Sequence, residues 1–341
     1  MRKLTAIGAA ALLGVCGMGL AAEKAVPIAP MTEARIDRWD PAMDAIVPAD
    51  FRIEKLAEGF GWAEGPIWVK KGGYLLFTDV PGNKMWKWSE KGGLEKFLDP
   101  SGAADPDPAV WREAGANGLA ILDSKSILLA DTGNRMIQKL DLATKTKTPF
   151  ATAFDGKKFS SPNDVARMKS GVVFFTDPPY GFKKFDEAPE KEISFNGVYR
   201  RGKDGQVTVV EQELHRPNGV ALSPDQRTLY VAQSDPARPI IMAYSLDRKG
   251  QVTGKREFAH FSDLVAAGAP GLPDGLAVAK DGTIFTTGPG GVIVLSADGK
   301  RLGRISNGKP TANCKFGDDG RTLYLTSHDT LARIRLNVAG F

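Results

Sequence analysis

The sequence predicts an all-β fold: a six-bladed β-propeller with four-stranded blades, its ring closed by an N-terminal strand. Three observations carry this. Short apolar runs bounded by Gly, Asp, Asn and Pro recur along the chain, while helical periodicity is scarce. Six related hairpins repeat at intervals of about 40 to 55 residues, the size of a propeller blade. The sixth repeat is one strand short, and residues 52–57, ahead of the first repeat, are available to supply that strand and cover a sheet edge.

Residues 1–22 come first and read as a secretory signal peptide. Met1-Arg2-Lys3 precedes an apolar stretch from Leu4 to Leu20 that ends in Ala21-Ala22, too short and too rich in Ala and Gly for a membrane span. Cleavage near Ala22 and a periplasmic destination are expected, with no membrane attachment afterwards. Lipidation at Cys16 is disfavoured because Val15 is bulky for the position before a modified cysteine. Cys314 is then the only cysteine, so no intrachain disulfide forms and stability rests on packing. Residues 23–50 form a lead segment, and 51–341 the propeller domain. The net charge of +5 falls to about +3 without Arg2 and Lys3, and no basic block interleaves with aromatics, which excludes a nucleic-acid groove. A closed ring of this size is expected to stand as a monomer.

The six first strands begin at Glu64 (EGPIWV), Asn117 (NGLAIL), Asn163 (NDVARM), Asn218 (NGVALS), Asp274 (DGLAVA) and Asn313 (NCKFG). Second strands follow after polar turns: YLLFTD, ILLAD, VVFFTD, TLYVAQ, TIFTTG and TLYLTS. Third strands include KMWKW, MIQKLD, GVYRR, IIMAYSLD, GVIVLS and LARIRL. Every first strand starts with Glu, Asn or Asp. In an antiparallel hairpin the start of one strand lies beside the end of the next, so Glu64 is expected beside Asp79, Asn117 beside Asp131 and Asn163 beside Asp177. First strands line a propeller's channel, so the six polar tips should converge on one axis.

Asn-Gly and Asp-Gly before a strand are also ordinary turn residues. Six aligned tips, one of them a Glu pinned by Gly61, Gly65 and Pro66, fit a shared site better. Converging Glu, Asn and Asp oxygens are hard ligands suited to Ca²⁺, with Mg²⁺ or Mn²⁺ as substitutes. Zinc through His and Cys is disfavoured, because His215, His260 and His328 are dispersed and Cys314 is alone, although carboxylates also accept Zn²⁺.

WAEGPIW (62–68), ANGLAIL (116–122), SPNDV (161–165), FTDPPYGF (175–182), GVYRR (197–201), RPNGVALSPD (216–225), GLPDGLAV (271–278) and FGDDGRTLYLTS (316–327) together resemble the gluconolactonase and senescence-marker-protein (regucalcin) family, over about residues 37–341. The resemblance implies a calcium lactonase on a six-bladed propeller. It implies metal ligation by Glu64, Asn163, Asn218 and Asp274, with Asp274 also the acid/base residue and Asn163 also touching substrate. A lactone ring would lie over the metal at the channel mouth. The sequence departs from the pattern at Thr132, where bacterial members often carry His, and at Ser161, where animal members carry Arg.

The reaction read from this set is hydrolysis of an aldono-1,5-lactone such as glucono-δ-lactone. The metal polarises the carbonyl while Asp274 takes a proton from water and returns it to the ring oxygen. Asn117, Asp131, Asp177, Tyr180 and His328 are candidates for holding sugar hydroxyls, and His328 also for moving a proton near neutral pH. His215 and His260 read as structural, and Lys158 as a solvated lysine. Gly288-Pro289-Gly290-Gly291 reads as a tight turn, because no helix or Lys-Ser/Thr follows it. Trp86 and Trp88 read as blade packing, and Cys314 as a small buried residue. Two other readings compete: a calcium-dependent phosphotriesterase, and a propeller that binds a ligand without catalysis.

Overall fold

Each of the six repeats folds as an antiparallel meander, because its apolar runs are too short to span more than a blade and each ends in a turn. The computed structural model describes residues 28–340; the signal-peptide and Cys16 expectations fall outside them. The innermost strands are Ala63–Val69, Ala116–Ile121, Val165–Arg167, Pro217–Leu222, Leu276–Val278 and Asn313–Gly317. Each packs against the next, and the sixth packs against the first, so the ring is closed.

Closure uses the expected strand. Ile53–Glu58 pairs antiparallel with Thr330–Arg335, Leu331 opposite Ala57, and completes the sixth blade. The lead segment does more than the repeats foretold. Ala29–Pro30 adds a fifth strand outside Ile53–Glu58, and Arg35–Arg38 pairs with Arg301–Ser306 as the fifth strand of the fifth blade. Fully buried Met43, in the short helix Met43–Ile46, plugs into the cluster of Phe285, Val292, Leu323 and Ile53 between these two blades.

The core lies between blades, where large side chains from facing sheets interdigitate. Tyr199 stacks at 5.3 Å on Phe175, its cross-strand neighbour in blade three, meets Phe159 at 5.1 Å, and belongs to one cluster with Leu128 and Ile137 of blade two. Each such residue, fully buried, contributes roughly 1.5–3 kcal/mol. Trp86 and Trp88 are buried in blade packing as expected, and Cys314 is fully buried. Gly288–Gly291 is the expected tight turn.

The glycine that follows most tips has a role beyond turn chemistry. A Cβ on Gly65 would lie 2.2 Å from the carbonyl oxygen of Asn117, and one on Gly219 would lie 2.0 Å from that of Asp274. Neighbouring innermost strands therefore touch backbone to backbone at the channel mouth. Hydroxyls stitch the same joints: Thr78 donates to the carbonyl of Asn117 and Thr176 to that of Asn218. In blade three, Asp164 stands where glycine would, and its carboxylate accepts the N–H of Val220 in the next blade.

Candidate active site

At this mouth the ring encloses a cavity of about 540 Å³, within the range that suits a small ligand. Five of the six tips line it: Glu64, Asn117, Asn163, Asn218 and Asp274, with Tyr180 on the wall. The sixth tip, Asn313, stays buried and donates from Nδ2 to Oε2 of Glu64 at 3.1 Å. The N–H of Gly65 reaches the same oxygen at 2.8 Å. Glu64 is thus fixed by its own strand and by the blade that closes the ring, with Oε1 left to face the cavity.

The amides are equally constrained. Asn218 donates from Nδ2 to Oγ of Ser234, which in turn donates to the carbonyl of Pro273, and this turns Oδ1 of Asn218 away from both. That oxygen is buried without a partner, as is Oδ1 of Asn117. A buried acceptor with nothing to accept is costly, and here two such oxygens sit in a cavity with two carboxylates.

Burial pushes the Glu64 carboxyl up to about 7, against the hydrogen bonds from Gly65 and Asn313. Asp274 is raised well above the ordinary carboxylate range by burial and then by repulsion from Glu64, Asp164 and Glu113. Without a cation the mouth therefore resists holding both charges. Among the described residues no three His, Cys, Asp or Glu side chains cluster in metal-binding fashion, so a cation at this mouth must draw on amide oxygens as well. The orphaned amide oxygen of Asn218 beside two carboxylates, with the Asn163 amide on the same lining, gives an all-oxygen donor set that fits a hard divalent ion, and the orphaned oxygen of Asn117 is left for a polar ligand.

Three expected site residues are elsewhere. Asp131 is fully buried and accepts from Asn134, Gln138 and Lys147. Asp177 is fully buried and accepts the N–H groups of Ser160 and Ser161, both at 2.8 Å. For Asp131 the cause is register. Ala63, not Glu64, lies opposite Asp79, and Ala116, not Asn117, lies opposite Asp131, and a one-residue offset turns a side chain to the other face of a sheet. These acids instead hold loops near the tips. Asp79 grips the N–H groups of Gly61 and Trp62, and Asp177 grips the segment that delivers Asn163. His328 is half-exposed outside the cavity, its ring edge-on to Trp62 at 5.6 Å.

His215, His260 and Lys158 are exposed and do not line the cavity. The two departures from the family pattern are used within the fold: Thr132 donates to the carbonyl of Pro162 and Ser161 to that of Pro178.

The sequence reading missed Trp62, Arg112, Glu113, Ser234 and Thr311, all of which line the cavity. Arg112 and Glu113 come from the connection 99–115 between the first two blades. Their N–H groups bond to the carbonyl of Gly181, and Trp111 bridges to Phe182, so this loop walls one side. Nε of Arg112 donates to the carbonyl of Tyr180, and its Nη2 pairs with Glu113 at 2.6 Å. The length of that connection was the one available signal, since long loops in compact folds tend to carry function.

The fold and the site define a six-bladed propeller with acids and amides gathered around a small-molecule pocket at one channel mouth. The SMP-30/Gluconolactonase/LRE-like region family matches residues 62–329, and the chain belongs to it. It is 43% identical to a gluconolactonase of Zymomonas mobilis over 91% of this chain and 88% of that one. A pentonolactonase of Haloferax volcanii is 26% identical over 77% of this chain and 80% of that one. A solved gluconolactonase from Xanthomonas campestris superimposes with a TM-score of 0.77 at 29% identity, covering 92% of this chain and 98% of that one. The protein is a lactone hydrolase of the gluconolactonase type.

Proposed function

We propose that this protein is a divalent-metal lactonase, with Ca²⁺ as the natural ion, that opens glucono-δ-lactone or a close six-carbon aldono-1,5-lactone to the aldonic acid. The observation that carries the metal reading is the buried, unpartnered Oδ1 of Asn218 in the same cavity as Glu64 and Asp274. Glu64, Asn163, Asn218 and Asp274 would hold the ion. When bound, it supplies charge that keeps both carboxylates ionised and stabilises the oxyanion formed at the lactone carbonyl.

The chain's own residues do the rest. Asp274 accepts a proton from the attacking water as its oxygen bonds to the carbonyl carbon. It returns that proton to the ring oxygen when the ester C–O bond breaks, so it ends as it began. Asn117 and Tyr180 meet ring hydroxyls, and Trp62 and the Arg112–Glu113 wall limit the ring's size and tilt. The identity to a named gluconolactonase, higher than that to a pentonolactonase, favours a six-carbon sugar lactone. Export to the periplasm after cleavage near Ala22 belongs to the same proposal, and N-terminal sequencing of protein from the periplasmic fraction checks it.

The deciding experiment is pH-stat hydrolysis of glucono-δ-lactone, corrected for spontaneous opening, with native, EDTA-treated and Ca²⁺-restored enzyme beside Asp274→Asn. Activity should vanish on chelation, return with Ca²⁺ and be absent in the variant. Full activity after verified metal removal would sink the metal reading. Full activity in Asp274→Asn would remove Asp274 as the base.

A further inference from the structure

The channel has a second mouth. At the ends of the innermost strands remote from Glu64 and Asp274 lies a cavity of about 300 Å³, walled by apolar residues such as Val220 and Ala277. Two cations line it, Arg167 and Lys315, and no acidic side chain does. Arg167 ends the innermost strand of blade three and Lys315 lies in that of blade six. In a six-bladed ring these blades face each other across the axis, so the two residues stand on opposite walls of one cavity.

Neither cation is satisfied. Both are half-buried, and among the described residues neither side chain has a hydrogen-bond or ion-pair partner; Nε of Arg167 is shut off from solvent with no acceptor. Asp164 feels the charge of Lys315 from deeper in the channel, but its two oxygens already accept the N–H groups of Val165 and Val220. Gln226, also on the lining, has its Oε1 engaged by the N–H of Lys169, which leaves its NH₂ as a third donor. Half-buried unpaired charges in a concave cavity without an acidic side chain are unfavourable unless an anion joins them.

We infer that this far mouth is an anion-binding site that takes one small oxyanion, held by Arg167, Lys315 and Gln226. A guanidinium fork opposite an ammonium suits a phosphate or a carboxylate of matching size. Two sources share that chemistry: inorganic phosphate, and the carboxylate of a sugar acid.

The test uses metal-free full-length enzyme, so that no anion binds through a metal at the catalytic mouth. Inorganic phosphate and gluconate are titrated separately by calorimetry at constant ionic strength, with chloride as the blank. One of the two should bind saturably at one per chain, and the one that binds names the source. Lys315→Gln and Arg167→Gln should each weaken binding about tenfold, the loss of one charge-assisted contact. Crystals soaked in selenate locate the site even if Arg167→Gln fails to fold, with an anomalous peak expected between Arg167 and Lys315. Heats no different from chloride, binding that both variants leave intact, or a selenate peak only at the catalytic mouth would each overturn the inference.

Discussion

Replacing Gly65 by alanine tests whether the backbone contacts between tips hold the active site together. Gly65 has φ +47°, where an L side chain is strained, and its new Cβ would sit 2.2 Å from the carbonyl oxygen of Asn117. The left-handed backbone and the overpacking together cost about 2–5 kcal/mol. Gly73 is the control: its φ is +63° and nothing lies within 4 Å of a Cβ there, so Gly73→Ala carries only the backbone cost of about 1–2 kcal/mol. The two variants also differ in catalysis. The N–H of Gly65 holds Glu64 and its neighbour is the Asn117 backbone, so relieving the clash displaces two cavity-lining residues. A shift of about 1 Å can cost on the order of a hundredfold in rate, whereas Gly73→Ala should leave kcat/KM unchanged. Urea denaturation followed by circular dichroism and lactone hydrolysis by pH-stat read the two effects. Equal stability loss and equal activity in the two variants would refute the claim that the Asn117 backbone is a rigid wall.

Three further outcomes follow from the geometry. The Asp177 carboxyl is pushed up to about 7 by burial from an ordinary value of 3.8, so its contribution to stability is fully present below about pH 4 and is lost as pH rises through 7; urea midpoints should fall from pH 5 to pH 8 by more in the native chain than in Asp177→Asn. His328→Gln should leave both limbs of the pH–rate profile in place and change KM by less than about threefold, because His328 only borders Trp62; loss of one limb would restore it as a proton shuttle. Arg112→Ala should raise KM about tenfold with little change in kcat, since Arg112 braces the cavity wall at Tyr180 without reaching the reacting atoms in the proposed pose; an equal fall in kcat would assign it to the transition state.

The tips were legible because a polar residue, usually followed by Gly, recurs at a fixed place in each repeat, and the channel converts that repetition into convergence. Asp131 was misread because strand pairing fixes the facing residue only to within a register, and an offset of one residue reverses the side chain, whereas Asp177 was misread because its carboxylate is taken up by the N–H groups of Ser160 and Ser161. Arg112 and Glu113 belong to a connection that no other blade repeats, so periodicity carried no information about them. The fifth strand at Arg35–Arg38 was hidden for a different reason: its partner, Arg301–Ser306, lies almost the whole chain away, and a short polar strand advertises no partner. The role of glycine beside the tips also needed three dimensions, since Gly65 and Gly219 answer to carbonyls in the next blade.

The pairing of Ile53–Glu58 with Thr330–Arg335 gives the molecule a clasp rather than a seam. During synthesis the first blade emerges early, yet the sixth blade, whose Asn313 secures Glu64, arrives last. No partial ring therefore owns a working pocket. The chain becomes an enzyme only when the strand Ile53–Glu58 meets Thr330–Arg335, two segments that never touch the lactone.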